Sequence, residues 1–357
     1  MLKVAINGYG RIGRLAHRVI LERFSKEVDL VAINAGTSTD IKGWMYLLKY
    51  DTAYGPILTI DIQCEEAEST PKLQNLIGYL IVDGKKIPVI SQKDATLLPW
   101  KDLGVDVVIE STGNFEKMEK LQLHVNAGAK ATVLSAPAKG GGVPTYVLGV
   151  NDKDYKGENI ISNASCTTNC IAPVAKVMVD KFGVDKAIMT TIHSYTTDQR
   201  LQDGGHKDYR RARAAASNMV PTSTGATIAA AEVITELKGI FAGLAIRVPI
   251  IVGSIADLTF VLKKETTKEE VNDVLTKASQ DAGLEGILAV SNEPIVSTDI
   301  IGNPNSAIVD LPLTQVVGNL VKLIVWYDNE YGYANRLVEQ VVKVGNLLSQ
   351  NPPQSTT

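Results

Sequence analysis

Apolar residues along the chain follow two patterns, and the pattern changes near residue 165. Before that point short β-type runs alternate with amphipathic stretches. "LKVAING" reads as a strand, Ile12, Leu15, Ala16, Val19 and Ile20 recur behind it at helical spacing, and "VDLVAIN" at 28–34 is a second strand. Residues 2–34 therefore predict a βαβ unit with parallel strands and a right-handed crossover. "GVDVVIES" (104–111), an amphipathic stretch near 115–126, "ATVLSAP" (131–137) and "TYVLGVN" (145–151) continue the alternation, which predicts an α/β domain.

From about residue 165, "CTTNCIAPVAKVMVDKFG" predicts a helix ending at Gly183. The runs "KAIMTTIHSYT", "GLAIRVPII", "IADLTFVL" and "NLVKLIVWY" are long and β-rich with few helices between them, which predicts a mainly antiparallel sheet. Two further helices are expected, at 267–283 with acidic early turns and at 333–350 before the polar tail "NPPQSTT". The second half is thus α+β.

A length of 357 residues suits two domains, since single cores seldom grow beyond about 250 to 300 residues. A net charge of -3 gives no general attraction for nucleic acid or acidic membranes, so neither is expected as the main partner. The start, "MLKVAINGYG", lacks the charged and apolar regions of a signal peptide, and the most apolar stretch is broken by Arg247, Pro249 and Asp257. A cytoplasmic protein without membrane-spanning helices is expected. Three cysteines, Cys64, Cys166 and Cys170, cannot form a disulfide framework, and with four histidines they show no zinc-type spacing; no metal is expected.

"GYGRIG" is G-x-G-x-x-G at Gly8, Gly10 and Gly13, between a predicted strand and helix. That context points to a Rossmann dinucleotide site, with Gly8 for the turn, Gly10 for approach to a pyrophosphate and Gly13 for helix–strand packing. An acid normally follows about 20 residues on, to bind the ribose 2′-hydroxyl. Here the second strand ends in Asn34 and Ala35, followed by Gly36, Thr37, Ser38 and Thr39, and the first carboxylate is Asp40. Without a carboxylate to repel a 2′-phosphate, NADP becomes acceptable beside NAD; Asp40 folding back toward the ribose would restore NAD preference.

"IISNASCTTNC" passes from strand to helix and places Cys166 at the helix start, where free amides and the helix dipole favour thiolate. Cys166 is the candidate nucleophile and is expected to be held ionised. Cys170, one turn on, reads as a packing residue or a redox partner. His193, at the end of a β run, is the candidate base; His17 and His124 read as surface or packing residues on helices, and His206 has no catalytic role.

The chain resembles the phosphorylating glyceraldehyde-3-phosphate dehydrogenases over nearly its whole length. "NGYGRIGR", "LLKYD", "ESTG", "SAPAKG", "SNASCTTNC", "HSYTTDQRLQDGGHKDYRRARAAASNMVPTSTGA", "AIRVP" and "WYDNEYGYANR" carry the likeness, in family order. The resemblance implies a dinucleotide-binding domain of residues 1–164 and 334–357, a catalytic domain of 165–333, and a homotetramer. It implies that Cys166 attacks the aldehyde, His193 moves the proton, and inorganic phosphate releases the acyl group. Erythrose-4-phosphate dehydrogenase is the alternative within the same fold.

The same likeness assigns Thr196 and Arg247 to the substrate phosphate, and Ser165, Thr167, Thr224, Gly225 and Arg211 to the attacking phosphate. On the cofactor side it points to Arg11 and Ile12 over the pyrophosphate, Lys93 near the adenine, Thr112 and Ser135 at later strand ends, and Asn329 at the carboxamide. Two departures from the family pattern favour NADP: Ala35 in place of the acid, and Gly204 and Gly205 in place of a bulky residue and proline.

Overall fold

Strand β1 (Leu2–Asn7), helix α1 (Arg11–Arg23) and strand β2 (Val28–Asn34) form the expected βαβ unit, with β1 and β2 parallel. They open a computed structural model that describes residues 1–350 and divides into two units. One unit holds Met1–Thr145, Tyr155–Asn163 and the chain from Ala334 onward; the other holds Tyr146–Asp154 and Ala164–Tyr333.

In the first unit β2 is followed by α2 (Ile41–Lys49), β3 (Ile62–Glu66), β4 (Leu76–Val82), β5 (Lys85–Ile90), α3 (Trp100–Leu103), β6 (Val107–Glu110), α4 (Met118–Asn126), β7 (Ala131–Leu134) and β8 (Ile160–Ser162). The sheet runs β3-β4-β5-β2-β1-β6-β7-β8. Strands β1, β2, β5, β6, β7 and β8 are parallel, while β3 and β4 add an antiparallel edge. Strands β6 and β7 are wholly buried, as covering both faces of a parallel sheet requires. Strand order reverses at β1, which lies between β2 and β6, so a crevice opens beyond the carboxyl ends of β1 and β6.

The second unit contains α5 (Cys166–Phe182), β9 (Val184–Ser194), β10 (Val220–Ser223), α6 (Ala226–Val233), β11 (Phe241–Val248), β12 (Ser254–Leu262), α7 (Lys268–Ala278), β13 (Leu288–Ser291), β14 (Ala307–Asp310), β15 (Gln315–Val317) and β16 (Leu320–Tyr327), before α8 (Tyr331–Gln350). Its sheet runs β10-β11-β9-β12-β16-β14-β13, with β15 on β16. Pairing is antiparallel except for β9 with β11 and β13 with β14. The parallel β9–β11 pair follows from the crossover through β10 and α6, which returns the chain to the same end before β11 begins. Helix α5 lays Cys170, Ile171, Val174, Ala175 and Met178 into a core shared with Met189, Ala256, Leu258, Phe260, Leu323 and Val325. Each such large side chain contributes about 1.5–3 kcal/mol on burial. That is enough to keep α5 helical through Pro173, whose missing N–H costs about 3 kcal/mol in an isolated helix.

One expectation needs correction. Residues 145–151 do not form a strand: Thr145 makes one bridge to Ser162, then Val147 N–H donates to Asn151 Oδ1 and Gly149 N–H, at φ +77°, to Asp152 Oδ1. These side-chain acceptors and the left-handed glycine turn the backbone before a ladder can extend. Of the two readings of His17 and His124, surface or packing, the structure bears out packing: both are fully buried. Among the described residues no helix is long and apolar enough to cross a membrane.

His17 Nδ1 lies 2.7 Å from the Tyr9 hydroxyl. Burial, and secondly the charge of Lys85, pull its pKa from 6.5 down to about 3. Below pH 6.5 the unfolded chain therefore binds a proton that the folded chain refuses, and stability falls as pH drops toward 3. Replacing His17 with glutamine should flatten the fall of the urea midpoint between pH 6.5 and 4.5; an unchanged slope would show that His17 does not set it.

Candidate active site

Ser165 N-caps α5: its Oγ accepts the N–H of Thr168 at 3.1 Å, which fixes Cys166 as the first helical residue. The Cys166 sulfur is half-buried, 3.5 Å from His193 Nε2 and 3.9 Å from the Thr167 hydroxyl. Thr167 Oγ1 lies 3.0 Å from the Tyr327 hydroxyl, which lies 2.8 Å from Thr191 Oγ1, so one phenol ties the first turn of α5 to β9.

His193 is 3% exposed at the end of β9, where the strand's alternation turns it inward. In the parallel β9–β11 register it pairs with Arg247, so the two side chains leave the same face. Arg247 Nη1 lies 2.5 Å from His193 Nδ1 and donates to the Ser194 carbonyl at 3.2 Å. That carbonyl oxygen is also 2.7 Å from Nδ1. The two contacts of Nδ1 belong to different tautomers: donation to Ser194 frees Nε2 to accept a proton from sulfur, while acceptance from Arg247 puts hydrogen on Nε2.

Burial, then the charge of Arg247, lowers the His193 pKa from 6.5 to about 3, so the imidazole is neutral. Burial also pushes the Cys166 thiol above its ordinary value; Arg247, the Thr167 hydroxyl and the N–H groups of Thr167 and Cys166 pull the other way without reversing it. The expectation that Cys166 is held ionised is therefore corrected. The helix start and Arg247 hold down a thiol that its burial would raise further, and beside it stands an imidazole ready to take its proton. Cys170 is fully buried and its thiol is pushed up strongly by burial, as a packing residue's would be.

The other anion candidates divide into groups. Thr224 Oγ1 accepts from Ala226 N–H and Gly225 is the N-cap of α6, leaving a helix start without a side-chain cap on Gly225. Arg211 is engaged in a polar cluster: it donates to Thr222 Oγ1 at 2.9 Å, to the Ser223 carbonyl at 3.2 Å and to Asp198. Thr196 is partly buried in the turn after β9. Asn329 Oδ1 accepts from Ser194 Oγ, Ser254 Oγ and Gly253 N–H at 3.0–3.1 Å, which fixes the amide with its NH₂ as the end left to bind. Tyr327, Thr191, Ser194 and Ser254 escaped the sequence reading. Their one signal was alternation on β9, β12 and β16, which marks inward positions without distinguishing a hydroxyl network from plain core.

In the first unit the three glycines differ as a phosphate cradle requires. A Cβ on Gly8 would lie 2.6 Å from Thr112 N and one on Gly13 2.1 Å from the Gly8 carbonyl, whereas one on Gly10 would meet nothing within 4 Å. Gly10 is also the N-cap of α1, with no side-chain cap and no acid in the first turn. Open space beside uncapped amides fits a pyrophosphate. Arg11, at the first position of α1, is ion-paired to Asp51 at 2.6 Å, and Ile12 follows it half-buried. Asn34 is saturated: its Nδ2 donates to Asn7 Oδ1 and the Gln92 carbonyl, and its Oδ1 accepts from Gln92 N–H. Ala35 follows, with its N–H bonded to the Ile90 carbonyl. Asp40 Oδ1 accepts Gly43 N–H at 2.8 Å as the N-cap of α2. Thr112 and Ser135 stand at the ends of β6 and β7, and Lys93 is exposed after β5.

A glycine-rich turn opening a helix on a parallel sheet, and a helix-borne thiol against a neutral imidazole, are the parts of a dinucleotide-dependent dehydrogenase that works through cysteine. Residues 2–118 match the family model described as the NAD binding domain of glyceraldehyde 3-phosphate dehydrogenase, and residues 165–329 match its C-terminal domain. Glyceraldehyde-3-phosphate dehydrogenase of Thermotoga maritima is 52% identical over 341 residues, covering 95% of this chain and 98% of that protein. The enzymes of the same name from Streptomyces coelicolor and Mycobacterium avium are 47% and 48% identical, each over 97% of this chain and 99% of theirs. The chain belongs to the glyceraldehyde 3-phosphate dehydrogenase family.

Because Arg247 lowers the thiol pKa, replacing it with leucine should move the pH at which iodoacetamide alkylates Cys166 upward. An unmoved or lower inflection would contradict the electrostatic reading.

Proposed function

We propose that the chain oxidises glyceraldehyde 3-phosphate to 1,3-bisphosphoglycerate in the cytoplasm, and runs the reverse, through a thioester on Cys166. The observation that carries this reading is the half-buried sulfur at the first turn of α5, 3.5 Å from an imidazole nitrogen. The dinucleotide, when bound, supplies the hydride acceptor.

The Cys166 sulfur bonds to the aldehyde carbon as its proton passes to His193 Nε2 and on to the carbonyl oxygen, giving a thiohemiacetal. His193 then takes the hydroxyl proton as the carbon loses hydride, leaving a thioester. Phosphate adds to the thioester carbon and the Cys166–carbon bond breaks, releasing the acyl phosphate and returning the sulfur to the imidazole's proton. Arg247 and Thr196 hold the substrate phosphate; Ser165, Thr167, Thr224, Gly225 and Arg211 hold the attacking one. A phosphate on Arg247 offsets the charge that depresses His193, the group the guanidinium touches, so substrate binding strengthens the base when it is needed.

NADP is used at least as well as NAD. Supporting this, Asp40 is occupied in capping α2, Ala35 carries no charge at the end of β2, and Gly204 and Gly205 are exposed and without bulk. The protein is a homotetramer. The outer face of the second sheet exposes Ile188 (58%) and Leu320 (42%) beside Ile228 (65%) of α6, an apolar area a second copy would cover.

Initial rates with glyceraldehyde 3-phosphate, with and without inorganic phosphate and with NAD and NADP in parallel, test the proposal. Turnover should require phosphate, proceed with NADP at least as fast as with NAD, and fall by at least about a thousandfold in C166S. Phosphate-independent turnover, strong NAD preference, or an active C166S chain would each refute the corresponding part.

A further inference from the structure

Beneath the carboxyl ends of β1, β2 and β6 lies a buried polar cluster that the chemistry at Cys166 does not use. Glu110, the last residue of β6, is fully buried, yet it has a full set of donors. Its Oε1 accepts from the N–H of Thr112 at 2.7 Å and the Thr112 hydroxyl at 2.5 Å. Its Oε2 accepts from Asn7 Nδ2 at 2.5 Å and lies 3.0 Å from His124 Nε2. The fully buried Trp100 decides the tautomer of His124: the indole N–H donates to Nδ1 at 3.1 Å, so Nδ1 carries no hydrogen and Nε2–H donates to Glu110. Asn7 then turns its carbonyl to Asn34 Nδ2 at 2.6 Å.

Four donors on one carboxylate satisfy a charge that would otherwise be very costly to bury. With the Asn34–Asn7 and Trp100–His124 bonds they join residues from three strand ends and from α3 and α4 into one arrangement. Two of these residues, Thr112 and Asn34, sit where the sequence reading places the dinucleotide. Asn34 has no amide atom to spare for a ligand, so its contribution to the groove is the position of the chain that follows it, at Ala35 and Gly36.

We infer that Glu110, oriented by Trp100 through His124, is the positioning residue of the dinucleotide groove, setting Thr112 directly and the end of β2 through Asn7 and Asn34. The inference rests on the dinucleotide reading of the glycine turn. A group acting only on that groove alters dinucleotide affinity and leaves the chemistry of the other unit alone.

The test measures NADH and NADPH binding by fluorescence titration, alongside the rate at which iodoacetamide alkylates Cys166 without dinucleotide. In E110Q an amide NH₂ faces at least one donor. In H124F both the Trp100 and Glu110 partners are lost. Each should raise the NADH dissociation constant about tenfold, whereas H124Q, which can still accept from Trp100 and donate to Glu110, stays within about twofold of wild type. T112V removes one hydroxyl from a partly exposed residue and carries the test if the buried variants fail to fold; it should weaken binding by about threefold or more. Alkylation rates should match wild type throughout. Unchanged NADH affinity in T112V and in whichever buried variants fold, or alkylation altered as much as affinity, would overturn the inference. A wild-type chain that binds neither NADH nor NADPH would instead overturn the dinucleotide reading on which it stands.

Discussion

The chemistry of this chain depends on where helix α5 begins. The buried residues Cys170, Ile171, Val174, Ala175 and Met178 bind the helix to the sheet of the second unit, and the Ser165 cap fixes which residue is first. A helix start shifted by one residue would rotate the Cys166 sulfur about 100° around the axis and away from His193. The reactive geometry is therefore a by-product of core packing plus one capping hydroxyl, worth about 1 kcal/mol by itself.

A second constraint comes from β9 and β11. Because they are parallel and in register at His193 and Arg247, the guanidinium lies against the imidazole whether or not the chemistry is under way. Burial and that charge together keep the imidazole neutral, and burial keeps the thiol protonated. The resting pair is a thiol and a base, with proton transfer belonging to the reaction itself. In water the same two side chains, with pKa values near 6.5 and 9.0, would already favour thiol and neutral imidazole; burial widens that gap.

Much of this was legible in the residues, for identifiable reasons. The glycine turn was readable because Gly8, Gly10 and Gly13 sit between a strand and a helix whose patterns are both strong, and the space around each glycine agrees with its assigned part. The Cys166 helix was readable from the passage of "IISNASCTTNC" from strand to helix and from its end at Gly183. Residues 145–151 misled because a β-rich composition says nothing of Asn151 and Asp152 reaching back to the backbone. Strands β4 and β5 went unread although Asp83–Gly84, both at positive φ, form a tight hairpin turn between them. The ionisation of Cys166 was misjudged because a helix start is visible in sequence while the depth of burial around it is not. His124 shows the same limit: on an amphipathic helix a histidine reads as surface or packing alike, and the choice is made by Trp100 and Glu110, from 24 and 14 residues away.

The most direct check on the account is to see the acyl group on its sulfur. The protein would be mixed with glyceraldehyde 3-phosphate and oxidised dinucleotide in phosphate-free buffer, quenched in acid, and its peptides read by mass spectrometry. An acyl adduct confined to the peptide bearing Cys166, and lost on adding inorganic phosphate before the quench, is the expected result. An unmodified Cys166 while reduced dinucleotide accumulates, or an adduct on another residue, would contradict it.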